Sequence, residues 1–261
     1  MNQTYFRLLA LSLFLVGVVA AGWRVAARDQ CSTGTCKAPR SLSGAFGFDG
    51  KPAIDENPPA NYQTATFAMG CFWGTEARFG AIPGVIRTRV GFGGGTTPNP
   101  TYGSIGDHAE VVQLDFDPQI LTYEQLLAAF WQGVAPTEKP GWRQYSNAIL
   151  YHDEAQRQAA LASRQALEQK LGAKVTTAIV PANFTLAEDY HQKYYLRQTP
   201  QVAGEFLKLY PDLGDFINST AATRINAYLG GYGEDRQFEQ DLPRLGLSEA
   251  ARQSLRRWHE E

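Results

Sequence analysis

The sequence predicts an α/β fold, a mixed sheet with helices packed against it, extended by C-terminal helices and preceded by an export segment. Three observations predict it. Short β-rich runs are mingled with helix-forming stretches between residues 62 and 198, the pattern of one mixed domain. Helix boundary signals punctuate that pattern, with Thr122 three residues before Gln125 and Gly172 closing a long helical stretch. With 44% hydrophobic and 12% aromatic residues, the 261-residue chain can bury a core and is neither collagen-like nor disulfide-dense.

At the N-terminus, residues 8–23 carry no charge between Arg7 and Arg24. As a helix they span roughly 24 Å, short of the roughly 30 Å hydrocarbon core. Residues 1–27 are therefore read as a signal peptide or a short membrane anchor, with small residues at Val25, Ala26 and Ala27. Either route exports the remainder, so the expected location is extracytoplasmic: secreted, periplasmic, or anchored and facing outward. Residues 28–61 are rich in Pro, Gly, Ser and Ala without helical or strand period, and read as a flexible tether. Cys31 and Cys36 lie on it. Three cysteines cannot all pair within one chain, and a Cys31–Cys36 pair leaves Cys71 over.

In the domain, residues 62–68, 85–92 and 110–116 are predicted strands. A helix follows from the Thr122 cap through Trp131, then a short strand at 147–151 and a helix at 153–171. Residues 174–180 suit another strand and 187–197 another helix. The last stretch, 199–261, holds apolar helical segments at 204–210 and 248–258, a helical extension of the domain.

Cys71 ends the first strand and enters a helix at 75–79, so unpaired amides and roughly half a positive charge meet the sulfur there and favour its thiolate. A lone cysteine beside Phe72 and Trp73 also suits plain core packing. Gly93-Gly94-Gly95 is followed by Pro98 and Pro100 rather than a helix, which speaks against a phosphate loop; the same segment presents Tyr102. Glu110 opens a strand. If shielded from water its neutral form is favoured and it serves as a general acid; if exposed it is one more solvated carboxylate. Tyr145 offers a second hydroxyl, or packs with its oxygen at the surface.

A net charge of −2 gives no field to draw a polyanion, so nucleic acid is not expected as a partner. His108, His152, His191, His259 and the cysteines lack ligand-like spacing, and no metal is expected.

Gly70-Cys71-Phe72-Trp73-Gly74, Pro98 to Tyr102, His108-Ala109-Glu110, Gln144-Tyr145 and Ala187 to Gln192 occur in that order. In these motifs, over residues 62–198, the chain resembles the type A peptide methionine sulfoxide reductases, which act on the S epimer. The resemblance implies a two-layer α/β domain and thiol-dependent repair of oxidised proteins and peptides. It implies Cys71 as nucleophile, Glu110 as the acid that protonates the sulfoxide oxygen, and Tyr102 and Tyr145 as donors to that oxygen. Phe72 and Trp73 resemble the apolar wall that receives the substrate methyl. No cofactor is implied; electrons come from a thioredoxin-like or other dithiol donor.

Three departures stand out. Residues 103–107 are shorter than the family's usual segment, and the family's active-site Asp has no match before Gln144, Glu138 being the one conceivable substitute. No cysteine follows Cys71, so resolution falls to an outside dithiol or to Cys31 and Cys36. The span from Cys36 to Tyr62 extends beyond about 80 Å at about 3.3 Å per residue, so reach is no obstacle. Two other readings remain open at this level: a reductase-like binding module without turnover, and a Cys/His hydrolase using His108 or His191.

Overall fold

The computed structural model describes residues 51–138 and 141–260. The predicted export segment 1–27, and the tether through residue 50 with Cys31 and Cys36, lie outside the described residues. Among the described residues, no helix is long and apolar enough to cross a membrane.

Alternating apolar positions build the sheet. β1 (Gln63–Met69), β2 (Val85–Gly93), β3 (Ala109–Phe116), β4 (Asn147–Tyr151), β5 (Ala178–Pro181) and β6 (Thr185–Leu186) run in the order β5-β4-β1-β3-β2-β6. Every neighbouring pair is antiparallel except β4 with β5, so the sheet is mixed as predicted. Register places Phe67 opposite both Val112 and Ile149, and Phe92 opposite Glu110, which fixes a common face for these side chains.

That face carries the helices. α1 (Phe72–Gly80), α2 (Tyr123–Gly133) and α3 (Glu154–Leu171) cover it, with Phe67, Phe79, Phe116, Leu126 and Phe130 fully buried between them. Each such side chain contributes about 2 kcal/mol of apolar transfer. The Thr122 capping box forms as read: its side chain accepts from Gln125 N, and its amide donates to the Gln125 side chain. On the opposite face, Ala68, Val111 and Leu150 are covered by residues near Val180 and Phe184.

The helix predicted over 187–197 does not form as one element. Asp189–His191 is a 3-10 turn and α4 is one turn, Tyr194–Arg197. Lys193 breaks the run with φ +53 because its amide donates to Glu76 and its ammonium is buried on Glu76 and Thr88. The strand expected at 174–180 is also later and shorter, beginning at Ala178.

The C-terminal stretch folds as α5 (Pro200–Leu209), α6 (Leu213–Asn218), α7 (Thr220–Leu229), α8 (Asp235–Asp241) and α9 (Glu249–Glu260), around a core including Phe206, Ile225, Tyr228 and Leu255. α7 lies against α1. A β-carbon on Gly230 would meet that of Ala77 at 2.6 Å, so only glycine allows this approach. Arg224 donates to the carbonyls of Gly80, Ile82 and Val85, closing the C-terminal end of α1.

Part of the expected tether belongs to this layer. Ala53–Asp55 is a 3-10 turn, and the buried Asp55 carboxylate accepts from Tyr210 Oη, Ser219 Oγ and the amides of Thr220 and Ala221. A carboxylate on the first amides of α7 satisfies orphan donors and opposes the positive end of the helix. The chain is thus anchored from Asp55 onward rather than from Tyr62.

Candidate active site

β1 delivers Cys71 to the first turn of α1. Gly70, at φ +73, makes the turn between the two elements, and Cys71 is the N-cap residue with extended backbone. The Thr75 hydroxyl donates to the carbonyls of Met69 and Cys71 and fixes the junction. Cys71 is a free, solvent-exposed thiol.

Glu110 faces it from the start of β3. The carboxyl is buried, with Oε2 accepting from the amide of Phe72 at 2.9 Å and Oε1 accepting from Gln144 Nε2 at 2.6 Å. Burial pushes its pKa up, more than the two hydrogen bonds bring it down. Glu110 is therefore shielded from water and is not a solvated carboxylate. Sulfur behaves differently from the expectation. Loss of solvent raises the Cys71 pKa, Glu110 raises it further, and the amides of Trp73 and Gly74 lower it without reversing the direction. The helix N-terminus acts as predicted but is outweighed.

Both phenols reach the same opening, each about two-fifths exposed. The amide of Tyr102 donates to Glu188 Oε1 at 2.9 Å, and Tyr145 sits in a 3-10 turn, Arg143–Tyr145, next to Gln144. Desolvation, then the charge of Glu110, then a hydrogen bond with Tyr102 hold the Tyr145 hydroxyl protonated above its ordinary range, so it remains a donor.

Phe72 and Trp73 form the apolar side. Trp73 stacks on Tyr194 at 3.7 Å and 6°, and its Nε1 donates to His191 Nδ1 at 3.1 Å. Phe72 is buried against Phe92 and the His191 ring. The site thus joins a thiol, a carboxyl whose pKa burial raises and two phenols beside an aromatic wall. Such a set can attack an electrophilic centre while protonating an oxygen bound to it.

A family model described as peptide methionine sulfoxide reductase matches residues 63–223, more than half of the chain. The chain belongs to that family. It is similar to a peptide methionine sulfoxide reductase of Drosophila melanogaster, 42% identical over 193 residues covering 73% of this chain and 77% of the relative. The peptide methionine sulfoxide reductase MsrA of Methanococcoides burtonii is 49% identical over 146 residues, 51% of this chain and 95% of the relative. Among solved structures, methionine sulfoxide reductase A of Corynebacterium diphtheriae aligns at a TM-score of 0.51 and 30% identity, covering 62% of this chain and 92% of that one.

As a peptide methionine sulfoxide reductase, the chain handles the departures from the family pattern in its own way. Glu138 is exposed, with its amide donating to the Ala135 carbonyl and its carbonyl accepting from the Thr176 hydroxyl, and Gln144 is the side chain that meets Glu110. The short 103–107 segment is tied back to the start of its loop: Asp107 accepts from the amides and hydroxyls of Thr96 and Thr97, bonds that hold its carboxyl far below the usual range. Arg143 fastens the neighbouring turn by donating to the carbonyls of Asp107 and Gly94.

Neither histidine of the hydrolase reading has a nitrogen placed as a base for the thiol. His108 Nδ1 accepts from Gly95 N, which leaves Nε2 as donor to Thr97 O at 2.8 Å. His191 Nδ1 is taken by Trp73, and its Nε2 is buried 4.0 Å from Glu188 Oε2. The contacts of Gln144, Arg143, His191 and Tyr194 were absent from the sequence reading; Gln144 and His191 lie within the motifs and Arg143 and Tyr194 beside them, but their partners lie far away along the chain.

Proposed function

We propose that the protein reduces the S epimer of methionine sulfoxide in peptides and proteins, with Cys71 as nucleophile and Glu110 as acid. One observation carries these roles: a buried carboxyl whose pKa is raised by that burial is hydrogen-bonded to the amide of the residue next to an exposed thiol. Sulfoxide oxygen leaves poorly until protonated, so the acid and both phenols belong on its side and the thiolate on the other.

Cys71 Sγ attacks the sulfoxide sulfur, Glu110 gives its proton to the oxygen, and Tyr102 and Tyr145 donate hydrogen bonds to it. Phe72 and Trp73 receive the methyl group. The methionine sulfur gains two electrons and leaves as thioether; Cys71 loses two and carries the oxygen as sulfenic acid. A thiol then condenses with the sulfenic acid, releasing water and forming a disulfide, and a second thiol frees Cys71.

Since no cysteine follows Cys71, these thiols come from a thioredoxin-like or other dithiol donor, or from Cys31 and Cys36. The stretch between Cys36 and the anchored turn at Ala53 has a contour on the order of 55 Å, still ample. Multiple turnover of a Cys31→Ser/Cys36→Ser protein with a dithiol protein distinguishes the two. The apolar run at 8–23 supports an exported enzyme that repairs oxidised envelope proteins, which cell fractionation tests.

The function is tested by single-turnover reduction of peptides bearing the S or R sulfoxide. The expected result, without added reductant, is one methionine formed per Cys71 with the S epimer, or two where Cys31 and Cys36 resolve the sulfenic acid, and none with Cys71→Ser. Equal reduction of both epimers, or turnover without Cys71, contradicts the assignment.

A further inference from the structure

A cleft of about 650 Å³ lies where the C-terminal extension meets the reductase domain. It is bordered by the last turn of α1 and the bend after it, by α2, and by the residues that join α7 to α8 and open α8. Its volume falls within the roughly 300–1,000 Å³ of small-molecule sites. None of the residues bordering it belongs to the site around Cys71. Ala81, Ile82, Pro83 and Ala129 give it an apolar part, and its charged groups are Arg78, Arg236 and Glu234.

Arg78 is half-buried, and its guanidinium lies against the end of α2, where a β-carbon on Gly133 would come to 3.0 Å from both Nε and Cζ. Glycine at 133 makes that room. Yet among the described residues neither Arg78 nor Arg236 has an acceptor for its guanidinium. Withdrawing a cation from water without a counter-charge is costly, so a cradle that supplies no acceptor points to an anion from outside. The wall that carries Glu234 is held in place. Gly233, at φ +113, packs on the Tyr228 ring, which a β-carbon there would meet at 2.6 Å, and the Tyr232 amide donates to the Ala227 carbonyl at 3.0 Å. The cleft is therefore formed before a ligand enters, which spares the cost of ordering it.

Guanidinium forks match the oxygens of carboxylates and phosphates. Two guanidiniums against one carboxylate leave a single positive charge, which suits a monoanion, and Glu234 repels a more highly charged phosphate more strongly. We infer that this cleft is a second binding site, separate from the thiol, that takes a small organic monocarboxylate. The carboxylate lies on Arg78 and the apolar body against Ile82 and Ala129.

The test is calorimetric titration of the full chain at fixed ionic strength, with benzoate as probe, benzamide as its uncharged counterpart and inorganic phosphate as the more highly charged anion. Benzoate is expected to saturate one site per chain, about tenfold tighter than either of the others. Arg78→Gln weakens benzoate by about tenfold or more, the scale of one charge-assisted hydrogen bond. Glu234→Gln leaves benzoate bound and narrows its advantage over phosphate several-fold. Glu234 is exposed, so this second variant keeps the test decisive should Arg78→Gln prove unstable. Benzoate that does not saturate, benzamide that binds equally well, or an affinity untouched by Arg78→Gln overturns the site. Phosphate binding tighter than benzoate overturns the choice of a carboxylate. Displacement of benzoate by a peptide bearing the S sulfoxide overturns the site as well, since it would put the probe at the opening above Cys71.

Discussion

At Cys71, a helix N-terminus that favours the thiolate competes with burial and a neighbouring carboxyl that oppose it, and the opposition prevails. The two groups regulate each other. An ionised Glu110 raises the thiol pKa, whereas a protonated Glu110 removes that repulsion and holds the proton the sulfoxide oxygen needs. Because the carboxyl is raised above its ordinary value, its acid form persists to higher pH than an exposed glutamic acid. Thiolate grows with pH below the thiol pKa, so the reductive step is expected to rise with pH up to the Glu110 pKa and to level off above it, where loss of the acid cancels the gain in thiolate. Glu110→Gln separates the effects. Removing the negative charge lowers the thiol pKa, so iodoacetamide alkylation of Cys71 speeds up at neutral pH, while sulfoxide reduction slows by roughly 10²–10⁴-fold for want of the acid. Slower alkylation together with slower reduction would mean that Glu110 acts by placing the sulfur rather than by carrying a proton. Strand-to-helix chemistry at Cys71 was legible in the motif; the net sign of its pKa was not. It depends on burial, and on a carboxyl supplied by β3 and steadied by Gln144 from a distant turn.

α1 depends on a buried pair that no local pattern announces. Glu76, five residues after Cys71, and Lys193 meet at 2.8 Å with both side chains fully buried. The same carboxyl accepts from the Lys193 amide and the Thr88 hydroxyl, which joins α1 to β2 and to the turn that holds His191 and Tyr194 against Trp73. This explains the missing helix at 187–197: its charge and propensity suit a helix, but Lys193 is drawn inward 117 positions from its partner, and such a tertiary pairing outweighs propensity. Strands and capped helices were readable because hydrophobic alternation and the Thr122 box are local signals; this connection is not. Burial disfavours the ammonium and lowers its pKa against the attraction of Glu76. Glu76→Gln leaves that ammonium without its counter-charge, and a loss of about 3–5 kcal/mol is expected in urea unfolding. The double variant Glu76→Gln/Lys193→Met, which removes both charges, should recover most of it. Equal instability of single and double variants would show that shape at this position, and not charge, is what matters.

The sheet does not hold Cys71 in place alone; a second layer supports the helix behind it. α7 backs α1, Arg224 closes the end of α1, and Asp55 closes the start of α7. Apolar stripes in 199–261 announced helices, yet a stripe shows only that a face is covered and not by what, so the extension's support of α1 was illegible. The low-complexity look of 28–61 concealed Asp55 for a related reason, since its partners Tyr210 and Ser219 stand more than 150 residues away. One consequence concerns where the folded protein starts. A chain beginning at Tyr62 retains every catalytic side chain but lacks Asp55, so Tyr210 Oη, Ser219 Oγ and the first amides of α7 lose a buried acceptor. Charge-assisted bonds of this kind contribute about 1.5–3 kcal/mol each in mutational series, with losses that do not add fully, so on the order of 3 kcal/mol is expected overall. Relative to a chain beginning at Lys51, the shorter one should therefore melt several degrees lower, and Asp55→Ala in the full chain should reproduce most of the shift. Because α7 supports α1, the shorter chain should also show faster proteolysis around 72–80 in the native state. Matching melting temperatures for the two chains would mean that the turn at Ala53–Asp55 decorates the helical layer without securing it.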